Sequence, residues 1–417
     1  MALSTELSGV QAAQTDIDTI GNNISNINTV GFKQSLPNFA DLYGSSLQGA
    51  SGNTASPGQG VTTTSLSQLF SEGTVSQTGN PLDIAINGNG FFQLQTGSGI
   101  AYSRDGAFQL DKNGHLVNDT GATLMGNSTG TSQSSGGGSS SFLTAIQVNE
   151  SNIPPTATTT LSLNLNLAAT TAPIDTTTTP FSLANAASYN QSTTTTVYDS
   201  LGVSQTMTSY FTEVSGSGSP PQWATHYALT NTAGQLVASG SGPSLSFNTA
   251  GQLTSGSGTI TINNLPDGAA PLSFTLDFTG STVSNVAFGV NSIGNNGNGG
   301  GQFTGIQIAA NGQVSGQYSN GDTKVFGTIA LANFANPQGL IATSDNLWLA
   351  SVASGLPTAG NPGSAGLGQL QSGSLEGSNV DLSSQLVNLI VAQQAYQANV
   401  QGINVEQQDI QRLLTIQ

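Results

Sequence analysis

The stretch LSTELSGVQAAQTDIDTIGNNISNI, residues 3–27, decides how this chain is organised. Its apolar residues recur every seven positions in two rows, a spacing typical of a coiled-coil helix of nearly four heptads. The first row is Leu3, Val10, Ile17 and Ile24, and the second is Ala13, Ile20 and Ile27. We therefore predict an amphipathic axial helix within residues 1–30.

A second heptad pattern runs through residues 378–417, at the other end of the sequence. Asp381 stands where that helix would begin, and its carboxylate suits the capping position. One row is Leu382, Leu389, Tyr396, Ile403 and Ile410, and the other is Leu386, Val400 and Leu414, interrupted by Gln393 and Gln407. The pattern predicts a C-terminal axial helix with a polar outer face.

Two explanations fit the apolar faces of these helices. A single such face usually packs on the core of its own domain. Two of them, one at each end and each too small to offset the cost of ordering a helix alone, favour a coiled-coil polymerisation domain completed by other copies of the chain. The predicted polymer interface consists of Leu3, Val10, Ile17, Ile20, Ile24, Ile27, Leu382, Leu386, Leu389, Tyr396, Val400, Ile403, Ile410 and Leu414.

Between Ser71 and Gly377 the sequence has strand patterns and no comparable helix. Short apolar alternations are separated by turn residues, as in β-hairpins. The clearest predicted strands are Leu82–Asn87, Gly90–Leu94, Ala107–Leu110 and His115–Asn118, with a turn at Asn113-Gly114. The fold class predicted is mainly β, with two or three β domains and a helix at each end.

Runs of Gly, Ser, Thr and Asn divide this β region, because apolar alternation stops within them. They are Gly126–Ser141, Thr170–Pro180, Gly216–Pro221 and Asn291–Gly301. The first and last predict domain connections, with one domain inserted in another. The predicted parts are an extended connecting segment at 31–75, a β domain formed by 76–147 and 290–377, and an inserted outer β domain at 148–289.

Charge and composition exclude several classes of partner. The chain has 5 Lys and Arg against 21 Asp and Glu, a net charge of −16, so nucleic acid lacks the basic footprint that it needs. Anionic membrane surfaces are disfavoured for the same reason. The chain has no cysteine, no uninterrupted apolar stretch of membrane-spanning length and no signal-peptide pattern.

Nothing in the sequence predicts catalysis or a cofactor. The two histidines, His115 and His226, fall in separate predicted domains, and no phosphate-binding loop or helical zinc motif occurs. Gly126–Gly130 matches a nucleophile-elbow pattern within a low-complexity run, which favours chance. The acidic pairs Asp16 with Asp18 and Asp105 with Asp111 are interpreted as solvated carboxylates. We predict no catalytic, cofactor-binding or metal residues.

Several motifs resemble the signatures shared by the rod, hook and hook-associated proteins of the bacterial flagellum. At the N-terminal end they are Leu7-Ser8-Gly9, Ala12-Ala13, Ile20–Asn26 and Gly31-Phe32-Lys33. At the C-terminal end they are Gly373–Asp381, Leu386–Asn388 and Ala392–Tyr396. Gln394 departs from the pattern, because an arginine is usual at that position in the family.

Interior stretches resemble the same family and its hook members. Ile84–Phe92, Tyr102–Gly106 and Leu110–Val117 look like the β domain common to rod and hook proteins. Thr179–Asn190, Val197–Gly202 and Gly316–Gly339 look like hook members. The resemblance implies a curved, flexible tubular homopolymer outside the cell, in the flagellar hook, which carries torque from rod to filament. It also implies export without a cleaved signal peptide.

By the same resemblance, the partners are other copies of the chain, distal rod and hook-filament junction proteins, the hook cap and the flagellar export apparatus. Three alternatives stay open at this point. The chain could be a distal rod or hook-associated protein, although the inserted domain is large for a rod protein. It could be a secreted adhesin-like or glycan-binding β protein, or an enzyme using carboxylates on a β scaffold.

Overall fold

The computed structural model describes residues 2–42, 58–128, 143–214, 220–266 and 268–415 of the 417-residue chain. Two long α-helices stand at its ends, α1 (Ala2–Ser25) and α2 (Leu382–Thr415). Apart from two single-turn 3-10 helices, Ala186–Ser188 and Pro337–Gly339, the regular structure described between α1 and α2 is all strand. The predicted class, mainly β with a helix at each end, is confirmed.

The strands of the described residues are short and numerous. Those before residue 150 are β1 (Ser35–Asp41), β2 (Val61–Gln68), β3 (Val75–Gln77), β4 (Ile84–Asn87), β5 (Phe91–Thr96), β6 (Gly99–Ser103), β7 (Gln109–Leu110), β8 (Leu116–Val117), β9 (Thr123–Ser128) and β10 (Thr144–Ala145). Next come β11 (Thr160–Ala168), β12 (Gln191–Tyr198), β13 (Ser204–Glu213), β14 (Gln222–Thr230), β15 (Leu236–Ser241), β16 (Leu245–Phe247), β17 (Leu253–Ser255), β18 (Ser257–Ile262), β19 (Leu272–Asp277), β20 (Thr282–Ser284) and β21 (Gly289–Asn295). The last are β22 (Phe303–Ile308), β23 (Gln313–Tyr318), β24 (Thr323–Ile329), β25 (Leu331–Asn333), β26 (Ile341–Ala342), β27 (Leu347–Leu349), β28 (Thr358–Gly360), β29 (Gln369–Ser372) and β30 (Ser374–Glu376).

The chain forms two compact units. The first consists of residues 1–150, 305–317 and 323–417, and the second of residues 151–304 and 318–322. The second unit therefore lies, in sequence, between parts of the first. It extends past residue 289, where the predicted inserted domain ends, and the proposed domain limits stay a prediction.

The first unit contains both helices and an extended sheet in the order β22-β23-β24-β9-β5-β6-β27-β26. Short pairs join segments from its two halves, because β29 pairs with β4 and β30 pairs with β3. Large apolar side chains such as Ile84, Phe92 and Leu124 are fully buried between these elements. The sequence on either side of the second unit thus closes into one β domain. This domain adjoins the C-terminal end of α1 and the N-terminal end of α2, which we call the helix bases.

The second unit has two sheets, β12-β13-β14-β16-β17 and β18-β19-β11-β20, with β15 and β21 added at their sides. Strand β11 alternates strictly, and its four leucines Leu161, Leu163, Leu165 and Leu167 are all buried while intervening polar residues face outward. They pack with inward side chains of the other sheet, including Phe211 and Trp223. This alternation is what a sheet with one apolar face requires.

One turn design recurs in both units. The side chains of Asp111, Asn118, Asp199, Asn231 and Asn248 each accept hydrogen bonds from the backbone N–H groups two and four residues later, at 2.7–3.2 Å. In each turn the residue three positions after this Asp or Asn is a glycine with positive φ. The side-chain oxygen satisfies backbone donors that a tight turn would leave unpaired, and so fixes the hairpin.

Most predicted strands and turns are present. Strand β4 lies within the predicted Leu82–Asn87, β5 overlaps Gly90–Leu94, and a hairpin turn lies at Asn113-Gly114. The Asn291–Gly301 run, predicted as a connection, begins inside β21, which pairs antiparallel with β11. The prediction of a connection is wrong for residues 291–295. A strand at the edge of a sheet forms through backbone hydrogen bonds, so it does not need the apolar alternation that this run lacks. Residues 129–141 of Gly126–Ser141, the other predicted connection, and residues 216–219 of the dividing run Gly216–Pro221 lie outside the described residues.

Candidate functional site

Helices α1 and α2 pack against each other in antiparallel directions. Asn23 of α1 meets Gln385 near the start of α2, whereas Gly9 lies against Asn399, further along it. Gly402 lies against the Glu6 side chain so closely that a Cβ at residue 402 would sit 2.5 Å from the carboxylate. Glycine therefore leaves room for the Glu6 carboxylate between the two helices at that point.

Asn23 links the helix pair to the following strand. Its side chain is fully buried, accepts a hydrogen bond from the Ser35 N–H at 3.0 Å and donates one to the Ser35 carbonyl at 2.8 Å. It also approaches the Gln385 amide oxygen at 3.4 Å. A cavity of about 110 Å³ adjoins these residues, and burial raises the pKa of the Asp16 carboxyl at its side. Polar contacts therefore fix the register of α1, α2 and β1.

The predicted interface residues fall into three groups. Ile20 is buried within the subunit, and those that are half-buried are Val10, Ile17, Ile24, Ile27, Leu389, Tyr396, Val400 and Ile403. Leu382, Leu386 and Ile410 are exposed. The side chains of Leu3 and Leu414 lie outside the described residues.

The inward face of α2 differs from the predicted pair of rows. Leu389 and Tyr396 are partly covered as one row, but the second covered row contains Gln385, Ala392 and Asn399. The predicted second row lies one position later along the helix than this covered row. Its first member, Leu386, therefore points away from α1. The second inward row of α2 therefore consists of small and polar residues, and several larger apolar side chains of α2 lie outside.

An outward apolar stripe covers the first half of α2. Leu386 is 45% exposed, Val387 60%, Ile390 54% and Val391 58%. On a helix of 3.6 residues per turn these four positions share one side. Three of them were missed by the heptad analysis, although the run LVNLIVA is wider than one coiled-coil face and was a signal for a second contact surface.

The start of α2 has the cap that the sequence predicted. The Asp381 carboxylate accepts a hydrogen bond from the Ser384 N–H at 2.7 Å. That hydrogen bond holds the pKa of the Asp381 carboxyl below its usual value. The carboxylate also lies at the positive end of the helix dipole, which favours its charged form.

A buried ion cluster lies where the helices join the β domain. Glu376, in β30, contacts Lys33 Nζ through Oε1 at 2.5 Å and Arg104 Nη1 through Oε2 at 3.1 Å. All three side chains are buried, and we call them the junction cluster. Further donors reach the Ser71 carbonyl from Lys33 at 2.7 Å and the Gly88 carbonyl from Arg104 at 2.7 Å.

The junction cluster contains a large share of the chain's basic residues. Two of the chain's five basic residues share this one carboxylate. Burial lowers the pKa of Lys33, and the Glu376 carboxylate opposes that shift. A buried charge is tolerated only when it is paired and hydrogen-bonded, so Lys33 and Arg104 each depend on Glu376.

Backbone contacts bring the same segments together. The Gly31 N–H donates to the Glu376 carbonyl at 2.8 Å. Gly31 has φ of +69°, and a Cβ there would lie 2.5 Å from the Asp105 backbone nitrogen. The Asn379 side chain accepts from the Gln34 N–H at 2.8 Å and donates to the Leu69 carbonyl at 2.8 Å. Residues before and after the β domain are therefore joined directly to each other.

The other candidate residues form no catalytic arrangement. His115 lies 3.4 Å from Asp111 within a hairpin, and the His226 ring stacks on Phe181 at 4.1 Å. Asp105 accepts a hydrogen bond from the Ala107 N–H in a turn. Among the described residues, no three His, Cys, Asp or Glu side chains are grouped to hold a metal ion. The elbow-like Gly126–Gly130 run extends outside the described residues.

No helix in the described ranges combines the length and apolar character needed to cross a membrane.

Four family models match the chain in sequence order. The model described as "Flagella basal body rod protein" matches residues 3–33, and "Flagellar hook protein FlgE/F/G D1 domain" matches 85–166. "Flagellar basal body protein FlaE D2 domain" matches 164–298, and "Flagellar basal body rod FlgEFG protein C-terminal" matches 371–416. Together with the end helices and the β domain, these matches define a structural protein of the flagellar rod and hook class.

Relatives along the whole length narrow the assignment. The chain is 39% identical over 422 residues to the flagellar hook protein FlgE of Salmonella typhimurium strain LT2, and the alignment covers all of both chains. It is 38% identical over 425 residues to the same protein of Escherichia coli K12, again over the full length of both. The chain belongs to the flagellar hook protein FlgE family, which confirms the resemblance noted in its motifs.

A solved structure shares the fold. The crystal structure of the Helicobacter pylori flagellar hook protein FlgE2 matches 72% of this chain and all of its own chain, with a TM-score of 0.56 at 14% identity. At that identity the match supports the architecture alone.

Proposed function

We propose that this chain is the structural subunit of a flagellar hook. It assembles through its two end helices into a curved, flexible helical tube and carries torque from the rod to the filament. Its role is mechanical rather than catalytic. The observation that carries the proposal is the outward apolar stripe of α2, at Leu386, Val387, Ile390 and Val391, on a helix pair that is already closed on its inner side.

Burial of the stripe explains why copies would associate. Each of the four side chains leaves about half of its surface in water, and apolar area removed from water contributes roughly 25 cal/mol per Å². A contiguous exposed patch of this kind marks a contact surface in soluble proteins. The proposed polymer interface therefore consists of this stripe and the predicted heptad residues other than Ile20, which is buried within the subunit.

The two helices also differ in length, so part of α2 extends past α1. Helix α1 has 24 residues and α2 has 34. Because Glu6 already lies opposite Gly402, Ile410 falls in the part of α2 that extends past α1, and it is exposed. Another copy's helix would cover that end.

The junction cluster gives the subunit a stiff connection between its polymerising helices and its β domain. Torque must pass through residues that join these parts, and the buried contacts of Lys33, Arg104 and Glu376 tie three distant segments at one point. Breaking a buried ion pair costs several kcal/mol. The cluster thus resists separation of the helix bases from the domain.

The proposal includes location and partners. The chain is exported through the flagellar apparatus without a cleaved signal peptide and works outside the cell. It contacts copies of itself, the distal rod, the hook-filament junction proteins and the hook cap. What supports these points is membership of the hook protein family together with the low charge of the chain, which suits neutral contacts between copies.

Electron microscopy of the purified full chain under salting-out conditions, which strengthen apolar burial, tests the proposal. Curved tubes are the expected result. Straight, rigid polymers would favour a rod protein. A chain that stays monomeric under every condition, yet binds a glycan, would overturn the proposal in favour of an adhesin-like protein.

A further inference from the structure

A loop of the first unit holds two apolar side chains outward. In residues 350–356, which we call the outward loop, Val352 is fully exposed and Leu356 is 89% exposed. Single exposed apolar residues are common on protein surfaces and need no explanation. This pair differs because several hydrogen bonds hold the loop in place.

Serine side chains fix the outward loop. Ser351 Oγ donates to the Gly339 carbonyl at 2.5 Å and accepts from the Ala353 N–H at 3.0 Å. The buried Ser354 Oγ donates to the Ser351 carbonyl at 2.9 Å. Asn336 Nδ2 donates to the Ala353 carbonyl at 3.0 Å. These hydrogen bonds restrain residues 351–354, which lowers the conformational entropy that the loop loses when it binds.

A groove on the same unit is uncharged and partly apolar. Its volume is about 320 Å³, within the range of sites that enclose a small ligand. Ala101, Ala122, Leu347 and Leu349 supply its apolar surface. Hydroxyl side chains rim it, namely Thr96, Ser98, Thr120, Thr343 and Ser344. None of its lining residues carries a charge, and we call it the hydroxyl-rimmed groove.

Strand pairing forms the floor of this groove. Strand β27 pairs with β6, with Leu347 opposite Ser103 and Trp348 opposite Tyr102, which brings Leu349 beside Ala101. Ile341, 55% exposed, pairs with Leu349 from β26 and extends the apolar surface. The floor is therefore built on the rigid sheet of the β domain.

We propose that the outward loop of one copy inserts Val352 and Leu356 into the hydroxyl-rimmed groove of another copy. The inference rests on the proposed function, because it names a contact between subunits of that polymer. Each copy carries both the loop and the groove. Where the groove of the first copy does not receive the loop of the second in return, the contact is heterologous, and it continues into an open helical polymer when it does not close into a ring.

The chemistry favours a second copy of this chain as the occupant. The net charge of −16 makes copies repel one another wherever charges meet, yet neither the loop's two apolar side chains nor the groove lining is charged. Burial of Val352 and Leu356 removes two exposed apolar side chains from water in every subunit. The contact lies in the β domain and thus adds to the contacts of the end helices.

Cysteine cross-linking tests the contact, because the natural chain contains no cysteine. Leu356→Cys and Ser98→Cys chains are polymerised separately and as a mixture, then oxidised. The expected result is a cross-linked dimer in the mixture only, since a disulfide needs Cα atoms within about 7 Å. A dimer from Leu356→Cys alone, or no dimer from the mixture, would overturn the proposal.

A second measurement covers the case in which a cysteine variant assembles poorly. Leu356→Ser should raise the critical concentration for assembly of the full chain about tenfold, whereas Ala353→Ser in the same loop should leave it unchanged. Equal critical concentrations for the two variants would refute the contact. If natural chains form no polymer at all, it is the proposed function that fails, and the contact fails with it.

Discussion

Replacing Ile390 by aspartate should separate assembly from folding. Ile390 lies in the outward apolar stripe of α2 and is 54% exposed, so the subunit alone makes limited use of its side chain. We expect Ile390→Asp to raise the critical concentration for polymerisation at least tenfold. The thermal transition of the monomer should change little.

The magnitude follows from two contributions. Full burial of an isoleucine contributes about 1.5–3 kcal/mol, and about half of that, ~1 kcal/mol, is still available to an interface. Desolvating an unpaired carboxylate adds several kcal/mol. The helices offer no nearby cation, because Arg412 is the only basic residue in either and lies 22 positions on, about 33 Å away. A tenfold change needs only ~1.4 kcal/mol.

Sedimentation of polymer at a series of protein concentrations measures the effect, with circular dichroism for the monomer. The control is Gln401→Asp, eleven residues later on the same outward side of α2, where the exposed residues are mainly glutamine. Equal critical concentrations for Ile390→Asp and Gln401→Asp would refute the role of the stripe. Loss of the monomer's melting transition would instead mean that Ile390 supports the subunit's own fold.

The remaining predictions concern the helix bases. Glu376→Gln leaves two buried cations without a carboxylate and should lower the free energy of unfolding, measured by urea titration, by about 3–5 kcal/mol. The additional change Lys33→Met removes one of these cations and should recover part of that loss. No recovery would argue against coupling in the junction cluster. Gly31→Ala introduces a Cβ that meets the Asp105 backbone at a positive φ, so it should lower the melting temperature, and an unchanged temperature would contradict the close approach. The pKa of the Asp381 carboxyl is lowered in the folded chain. The stabilisation that Asp381 gives α2 is therefore present above the ordinary carboxyl pKa and is lost as the pH falls through the lowered value. Hydrogen exchange at the start of α2 should show this loss of protection in the natural chain and a smaller loss in Asp381→Asn. A chain ending at Asp381 should keep the β domain's melting transition and form no tubes, and tubes from this chain would show that α2 is not required.

Sequence periodicity located the helices but not all of their contacts. Apolar heptads mark a helix reliably, and the cap at Asp381 follows from local chemistry. The heptads do not reveal that α2 turns Gln385 and Asn399 toward α1, because that packing depends on Asn23 and Gly9 of the partner helix. A pattern weighted by hydrophobicity overlooks an inner face built from small and amide side chains.

The junction cluster lay beyond sequence reasoning for a different cause. Lys33 and Glu376 are separated by 343 positions, and Arg104 and Glu376 by 272. Their meeting depends on β3 pairing with β30 and β4 pairing with β29, which no local pattern specifies. Each residue stood in a motif that resembled the family, but the resemblance alone did not say why a lysine, an arginine and a glutamate were needed.

The distribution of charge connects these observations. A chain with five basic residues has few ion pairs available, and it buries two of these residues inside the subunit on Glu376. Electrostatic interactions therefore fix the helix bases within the subunit, where desolvation makes their geometry specific. The outward stripe of α2 and the hydroxyl-rimmed groove are left with apolar and neutral contacts, which depend less on one relative position than ion pairs do. A firm link at the helix bases, combined with uncharged surfaces for contact between copies, suits a tube that transmits torque and still bends.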